Sequence, residues 1–105
     1  MTMIWNNPTT PEEAEAIIVM VLNSIDKWSS AELEEYCKKL ALFAGSFNHV
    51  WTVSHRYQLI NILANIGFPA IDPVLEALTD SPRAEQFDVT NSFIRRLVST
   101  YRGEF

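Results

Sequence analysis

The sequence predicts an all-α protein, a compact bundle of about five helices. Three observations predict it. Apolar residues recur at i, i+3 and i+4 through successive segments, helix-start signatures stand in front of them, and Gly45, Gly67 and Pro82 punctuate the pattern. At 105 residues the chain fits one domain, residues 1–105, with 1–9 as an N-terminal lead. Its apolar content of 48% against 20% charged is that of a globular chain.

The first helix is announced by Thr10-Pro11-Glu12-Glu13. Thr10 suits the cap, Pro11 the first helical position, and Glu13 completes a capping box. Ala14, Ile17, Ile18, Val21, Leu22, Ile25 and Trp28 share one face, which carries the helix to about Trp28. Val19 and Met20 fall off that face. Either the lead segment with Ile4 and Trp5 covers them, or they form a contact surface.

Ser29-Ser30-Ala31-Glu32 is a second capping box, with Trp28 and Leu33 placed as a hydrophobic staple. So tight a turn predicts an antiparallel hairpin between the first two helices. The second helix, to about Ala44, is expected to bury Leu33, Tyr36, Cys37, Leu40, Ala41 and Ala44. Its outer face shows Glu34, Glu35, Lys38 and Lys39, spaced for Glu34–Lys38 and Glu35–Lys39 pairs. Leu42 stands alone there.

Gly45 to Thr52 is aromatic for a loop, carrying Phe47, His49 and Trp51. Loops often carry function, and aromatic anchors dominate binding hot spots. The same rings also suit a plug for the end of a helical stack.

A third helix is expected from Val53 or Ser54 to Gly67, where glycine suits a left-handed end. Leu59, Ile62, Leu63 and Ile66, widened by Ile60, predict a central helix touched on two sides. The fourth helix is read as burying Ile71, Val74, Leu75 and Leu78 and showing Asp72, Glu76 and Asp80. Pro73 restricts its regular start to the first turn. After a polar linker over residues 81–87, Asp88 is placed to cap a last helix running to about Arg102. Val89, Phe93, Ile94, Leu97, Val98 and Tyr101 are expected inside, with Arg95 and Arg102 on an outer stripe. Those arginines either grip an acidic group or simply complement the helix C-terminus.

The pair of helices from Arg56 to Ser81 resembles a HEAT-like helical repeat. The likeness rests on Arg56 in the first turn, on Leu63, Ala64, Ile66 and Gly67, and on Pro69, Ala70, Ile71, Pro73, Leu75, Ala77, Leu78 and Asp80. Ala64 stands where such repeats commonly have glycine, and the pattern does not recur after Asp80. The resemblance therefore implies one HEAT-like hairpin stacked with antiparallel neighbours in a small domain, since a single repeat cannot bury its own face. It implies nothing about a particular partner.

Catalytic chemistry finds little support. Pairing Cys37 with His49 or His55 would need an activated thiol, yet Cys37 sits mid-helix on an apolar face. The two histidines lack helical ligand spacing and read as surface or capping residues. No glycine-rich phosphate loop, cofactor motif or metal set is found, so no catalytic, cofactor-binding or metal residue is assigned. A lone cysteine precludes an intrachain disulfide and suits a reducing cytoplasm. The N-terminus lacks the features of a signal peptide, and no apolar run approaches the ~20 residues of a membrane span.

With a net charge of −5, binding to a phosphate backbone starts disfavoured and a basic protein partner is favoured. The expected function is non-enzymatic protein recognition by a small acidic inhibitor, immunity or adaptor protein. Its candidate surfaces are the acidic face (Glu34, Glu35, Asp72, Glu76, Asp80) and the aromatic loop (Phe47, His49, Trp51). The alternative is a homo-oligomeric assembly subunit joined through Val19, Met20 and Trp5.

Overall fold

A computed structural model describes residues 7–45, 50–79 and 84–102, excepting the side chains of 84–88. Among them the chain forms five α-helices: α1 (Pro11–Ser24), α2 (Ser30–Ala44), α3 (Val53–Ile66), α4 (Ile71–Thr79) and α5 (Ala84–Arg102). Short 3-10 turns occupy Ile25–Lys27 and Phe68–Ala70. The fold is an all-α bundle.

Local chemistry sets the helix ends. Thr10 Oγ1 accepts the Glu13 N–H at 3.2 Å, as expected of a cap. The Glu13 carboxylate, however, reaches one residue further back, taking the N–H and hydroxyl of Thr9 at 2.6 and 2.9 Å. These bonds, the Thr9 N–H first, hold its carboxyl below the usual value of 4.5. α1 stops four residues short of Trp28. At Ser24 the hydroxyl bonds back to the Met20 carbonyl at 2.8 Å, and the chain tightens into the 3-10 turn. The box at α2 closes fully: Ser29 Oγ accepts from Glu32 N at 3.2 Å, and Glu32 Oε1 from Ser29 N at 3.0 Å.

α3 begins at its Thr52 cap and ends at Gly67, whose φ of 88° and ψ of −145° lie in a region almost confined to glycine. α5 starts five residues before the expected Val89. Ala84, Glu85 and Gln86 are good helix formers, and nothing after Pro82 opposes helix there. Asp88 is consequently inside the helix and not its cap.

Packing follows an i to i+2 rule. α1 lies on α3, α2 on α4, and α3 on α5, with α2 also packed along α3. Of the sequence neighbours, α2 and α3 pack closely, but α1 and α2 form no closely packed hairpin, and the chain turns by 117° between α3 and the segment holding α4. The tight Trp28–Ser29 turn therefore redirects the chain without folding α2 back along α1.

One core unites the layers, built on Ile18, Val21, Tyr36, Leu40, Leu59, Leu63, Val74 and Phe93. α3 is central, touched by α1, α2 and α5, which accounts for its wide stripe including buried Ile60. Several residues expected inside are not. Leu22 is 54% exposed, and Leu75, Ile94, Val98 and Tyr101 are exposed as well. α1 meets α3 along one side, and among its described side chains α5 buries only Val89, Phe93 and Leu97, so the flanks of both apolar stripes reach solvent. Phe43, not expected in the core, is buried instead. It stacks on Trp51 with ring centroids 4.8 Å apart.

Arg56 ties the segment before α3 to the end of α2. Its Nε donates to the Trp51 carbonyl at 3.0 Å and an Nη to the Ala44 carbonyl at 3.4 Å. The second bond serves a carbonyl of the last α2 turn, where a cation is also favoured by the helix dipole. At the other end of α3, Phe68 stacks on Tyr101 of α5, centroids 4.2 Å apart. No single helix among the described residues is long and apolar enough to cross a membrane.

Candidate functional site

The packing of α2 on α4 assembles an acidic surface from residues some forty positions apart. Lys38 lies between the two helices, 3.7 Å from Glu34 on its own helix and 3.3 Å from Glu76 on α4. Asp72, one turn before Glu76, is exposed beside them. Two carboxylates share one ammonium and Asp72 adds a third carboxylate on the same face, so these four side chains sum to a net negative charge. The ion pairs themselves are exposed and contribute little stability. Their value is positional, because they show which acids the fold gathers.

Beside the acids lies a cleft of about 440 Å³ between the starts of α2 and α4. Trp28, Ser29, Ser30, Leu33 and Glu34 form one wall, and Pro69, Asp72 and Pro73 the other. The first wall is braced from behind. Trp28 meets the edge of buried Tyr36 at a centroid distance of 4.8 Å, and the Tyr36 hydroxyl donates to Glu32 Oε2 at 3.5 Å. Glu32 is in turn held by the Ser29 N–H, which lowers its carboxyl below the usual 4.5. The capping box thus fixes the cleft wall as well as the helix start.

The acidic positions read from the sequence divide accordingly. Glu34, Asp72 and Glu76 come together; Glu35 is exposed on α2 but does not line the cleft; Asp80 lies outside the described residues. Of the aromatic loop, Phe47 and His49 also lie outside the described residues. Trp51 is only 2% exposed, so it presents no binding surface, and for this ring the plug reading holds. Trp28, Leu33, Pro69 and Pro73, which line the cleft beside the acids, were not among the sequence candidates. Trp28 and Leu33 were visible as a staple, but only the α2/α4 crossing reveals that prolines face them.

The remaining candidates are placed as follows. Cys37 is buried in the core, and that burial pushes its thiol up to about 12. A thiol so placed supplies no nucleophilic thiolate near neutrality. His55 is neither a surface nor a simple capping residue: it is 9% exposed, lies edge-on to Trp51, and has Nδ1 buried without a hydrogen-bond partner. Among the described residues no group of three His, Cys, Asp or Glu side chains converges as a metal site. Ser29 Oγ in the cleft is engaged in capping. What the site offers is shape, apolar surface and negative charge.

Compared with protein-family models, with curated proteins and with solved structures, the chain matches none of them.

Proposed function

We propose that the protein is a non-enzymatic recognition module, a small acidic inhibitor, immunity or adaptor protein that binds and occludes a more basic protein. The observation carrying this reading is the convergence of Glu34, Asp72 and Glu76 beside an apolar cleft on the α2/α4 face. Apolar surface rimmed by like charge suits a protein partner of opposite charge, where burial supplies affinity and the charges supply steering and register. A chain of net charge −5 discourages nucleic acid as the partner. A lone, buried Cys37 accords with a reducing cytoplasm as the place of action. The HEAT-like likeness fits the same class, since stacked helices present such surfaces to many partners.

The test is affinity capture from lysate of the source cell, at low and high salt, with wild-type bait beside the triple variant E34Q/D72N/E76Q. A basic protein held by the wild type at low salt, and lost both at high salt and by the variant, is the expected result. Equal recovery by the two baits would remove the acidic face from the account.

A second reading is favoured by one observation. Val19 is 51% exposed and Leu22, one turn on, 54%, leaving an apolar strip on α1 suited to a homo-oligomer. Met20 packs partly against the core and contributes little to such a strip, and Trp5 lies outside the described residues. Sedimentation of the wild type beside V19E/L22E decides it: a monomer at tens of micromolar leaves this reading without support.

A further inference from the structure

We infer that the cleft between the starts of α2 and α4 receives an arginine side chain of the protein partner. This rests on the recognition reading above and names the group which that face selects.

The lining determines the occupant. Trp28, Leu33, Pro69 and Pro73 provide apolar walls, while Glu34 and Asp72 bring carboxylates to the same opening. A leucine or phenylalanine would satisfy the walls and push both carboxylates against hydrocarbon, a costly desolvation. A lysine would bring a compact, strongly hydrated charge that gains little from an indole or proline wall. Arginine matches both halves. Its stem is aliphatic, its guanidinium is planar and weakly hydrated, it stacks on aromatic rings, and its donors fork toward two carboxylates.

Geometry adds to the chemistry. Glu34 shares Lys38 with Glu76, whereas Asp72 on the opposite wall has no ion pair among the described residues. An incoming guanidinium thus meets Asp72 without displacing a cation, and Glu34 only by loosening an exposed 3.7 Å contact. The indole is pre-positioned by Tyr36, whose own place is fixed by core burial and Glu32, so little ordering accompanies binding. A volume near 440 Å³ takes the side chain together with its flanking backbone.

The experiment is a nitrogen-15 NMR titration of the full chain with acetyl-tetra-arginine amide. Tetra-lysine and tetra-citrulline counterparts serve as controls. The expected shifts centre on residues 28–34 and 69–76. Citrulline should bind about tenfold more weakly or worse, because it lacks the charge. Lysine should bind roughly threefold more weakly, because it lacks the stacking plane. D72N and E34Q, both at exposed side chains and so compatible with folding, should each weaken arginine binding about threefold or more. W28A should abolish the preference for arginine over lysine. Equal binding of arginine and lysine, with shifts spread over the acids of every helix, would overturn the assignment. So would arginine binding indifferent to D72N and W28A in variants that keep the wild-type spectrum elsewhere. Undiminished capture of a basic partner by W28A and D72N would sink the arginine cleft while leaving the recognition reading standing. Loss of both peptide binding and partner capture in E34Q/D72N/E76Q is the result expected when the two hold together.

Discussion

Replacing Gly67 by alanine tests how α3 is joined to α5. Gly67 combines φ 88° with ψ −145°, a backbone state in which an L side chain is strained by about 1–3 kcal/mol. A Cβ there would also lie 2.6 Å from the Tyr101 hydroxyl oxygen. Tyr101 is exposed and able to swing away, but only by leaving its stack on Phe68, worth about 0.5–1.5 kcal/mol. The sum is about 1.5–4.5 kcal/mol, a sizeable part of the ~5–15 kcal/mol that stabilises a domain. Urea denaturation should show a lower midpoint with an unchanged slope. The two terms separate in a double-mutant cycle with Tyr101→Ala. In that background G67A meets no hydroxyl, so its cost should fall by the stacking term, about 0.5–1.5 kcal/mol. A G67A variant within about 0.5 kcal/mol of wild type would refute both the glycine argument and the α3/α5 lock.

Three further outcomes follow from the same structure. Arg56→Ala removes a charged donor from the Trp51 and Ala44 carbonyls and should cost about 2–3 kcal/mol by thermal or urea unfolding. Arg56→Lys, unable to reach both carbonyls with a fork, should recover only part. Cys37 should resist alkylation in the native protein and label at the rate of unfolding. With its thiol raised from 9.0 to about 12, its contribution is intact below pH 9 and fades as pH climbs from there toward 12. Ser29→Ala should cost about 1 kcal/mol through the lost cap. Because the folded state lowers the Glu32 carboxyl below 4.5, the box contributes fully above that pH, and its contribution fades as pH falls below it. An acid titration of stability should therefore be shallower in Glu32→Gln than in wild type.

Much of the fold was legible because its signals are local. Thr10-Pro11, the Ser29–Glu32 box and Gly67 mark helix ends through contacts within four residues, and each end appears where the sequence put it. The apolar stripe of α3 was wide enough to announce a central helix, and α3 is central. What failed depended on distance along the chain. Nothing near Trp28 says that α2 will pack on α4 and not fold back on α1. Ile94 and Val98 carry the periodicity of buried residues. They are exposed because α5 packs mainly on α3 and meets α4 and α2 only sparsely. Tyr101 was read as core, but it lies over Gly67 on the surface, a contact spanning 34 positions that no local pattern encodes.

The candidate site was half legible for the same reason. Acids on outward helix faces are visible from periodicity, so Glu34, Asp72 and Glu76 stood out before their meeting was known. For Trp51 the sequence left two readings open, because a loop aromatic serves a hot spot or a core plug equally well. Its stack on Phe43 decides for the plug. The cleft itself required Trp28 and Pro73 on facing walls, which depends on the crossing of α2 and α4.

In the proposed role the α2/α4 face meets a basic protein under electrostatic steering. The direct measurement is the association rate with the captured partner as salt rises from about 0.05 to 0.5 M, across the range where the screening length shortens most. Steering by this face predicts a fall of about tenfold or more for the wild type and a flatter dependence for E34Q/D72N/E76Q. A rate indifferent to salt, or one that falls equally in both proteins, would contradict it.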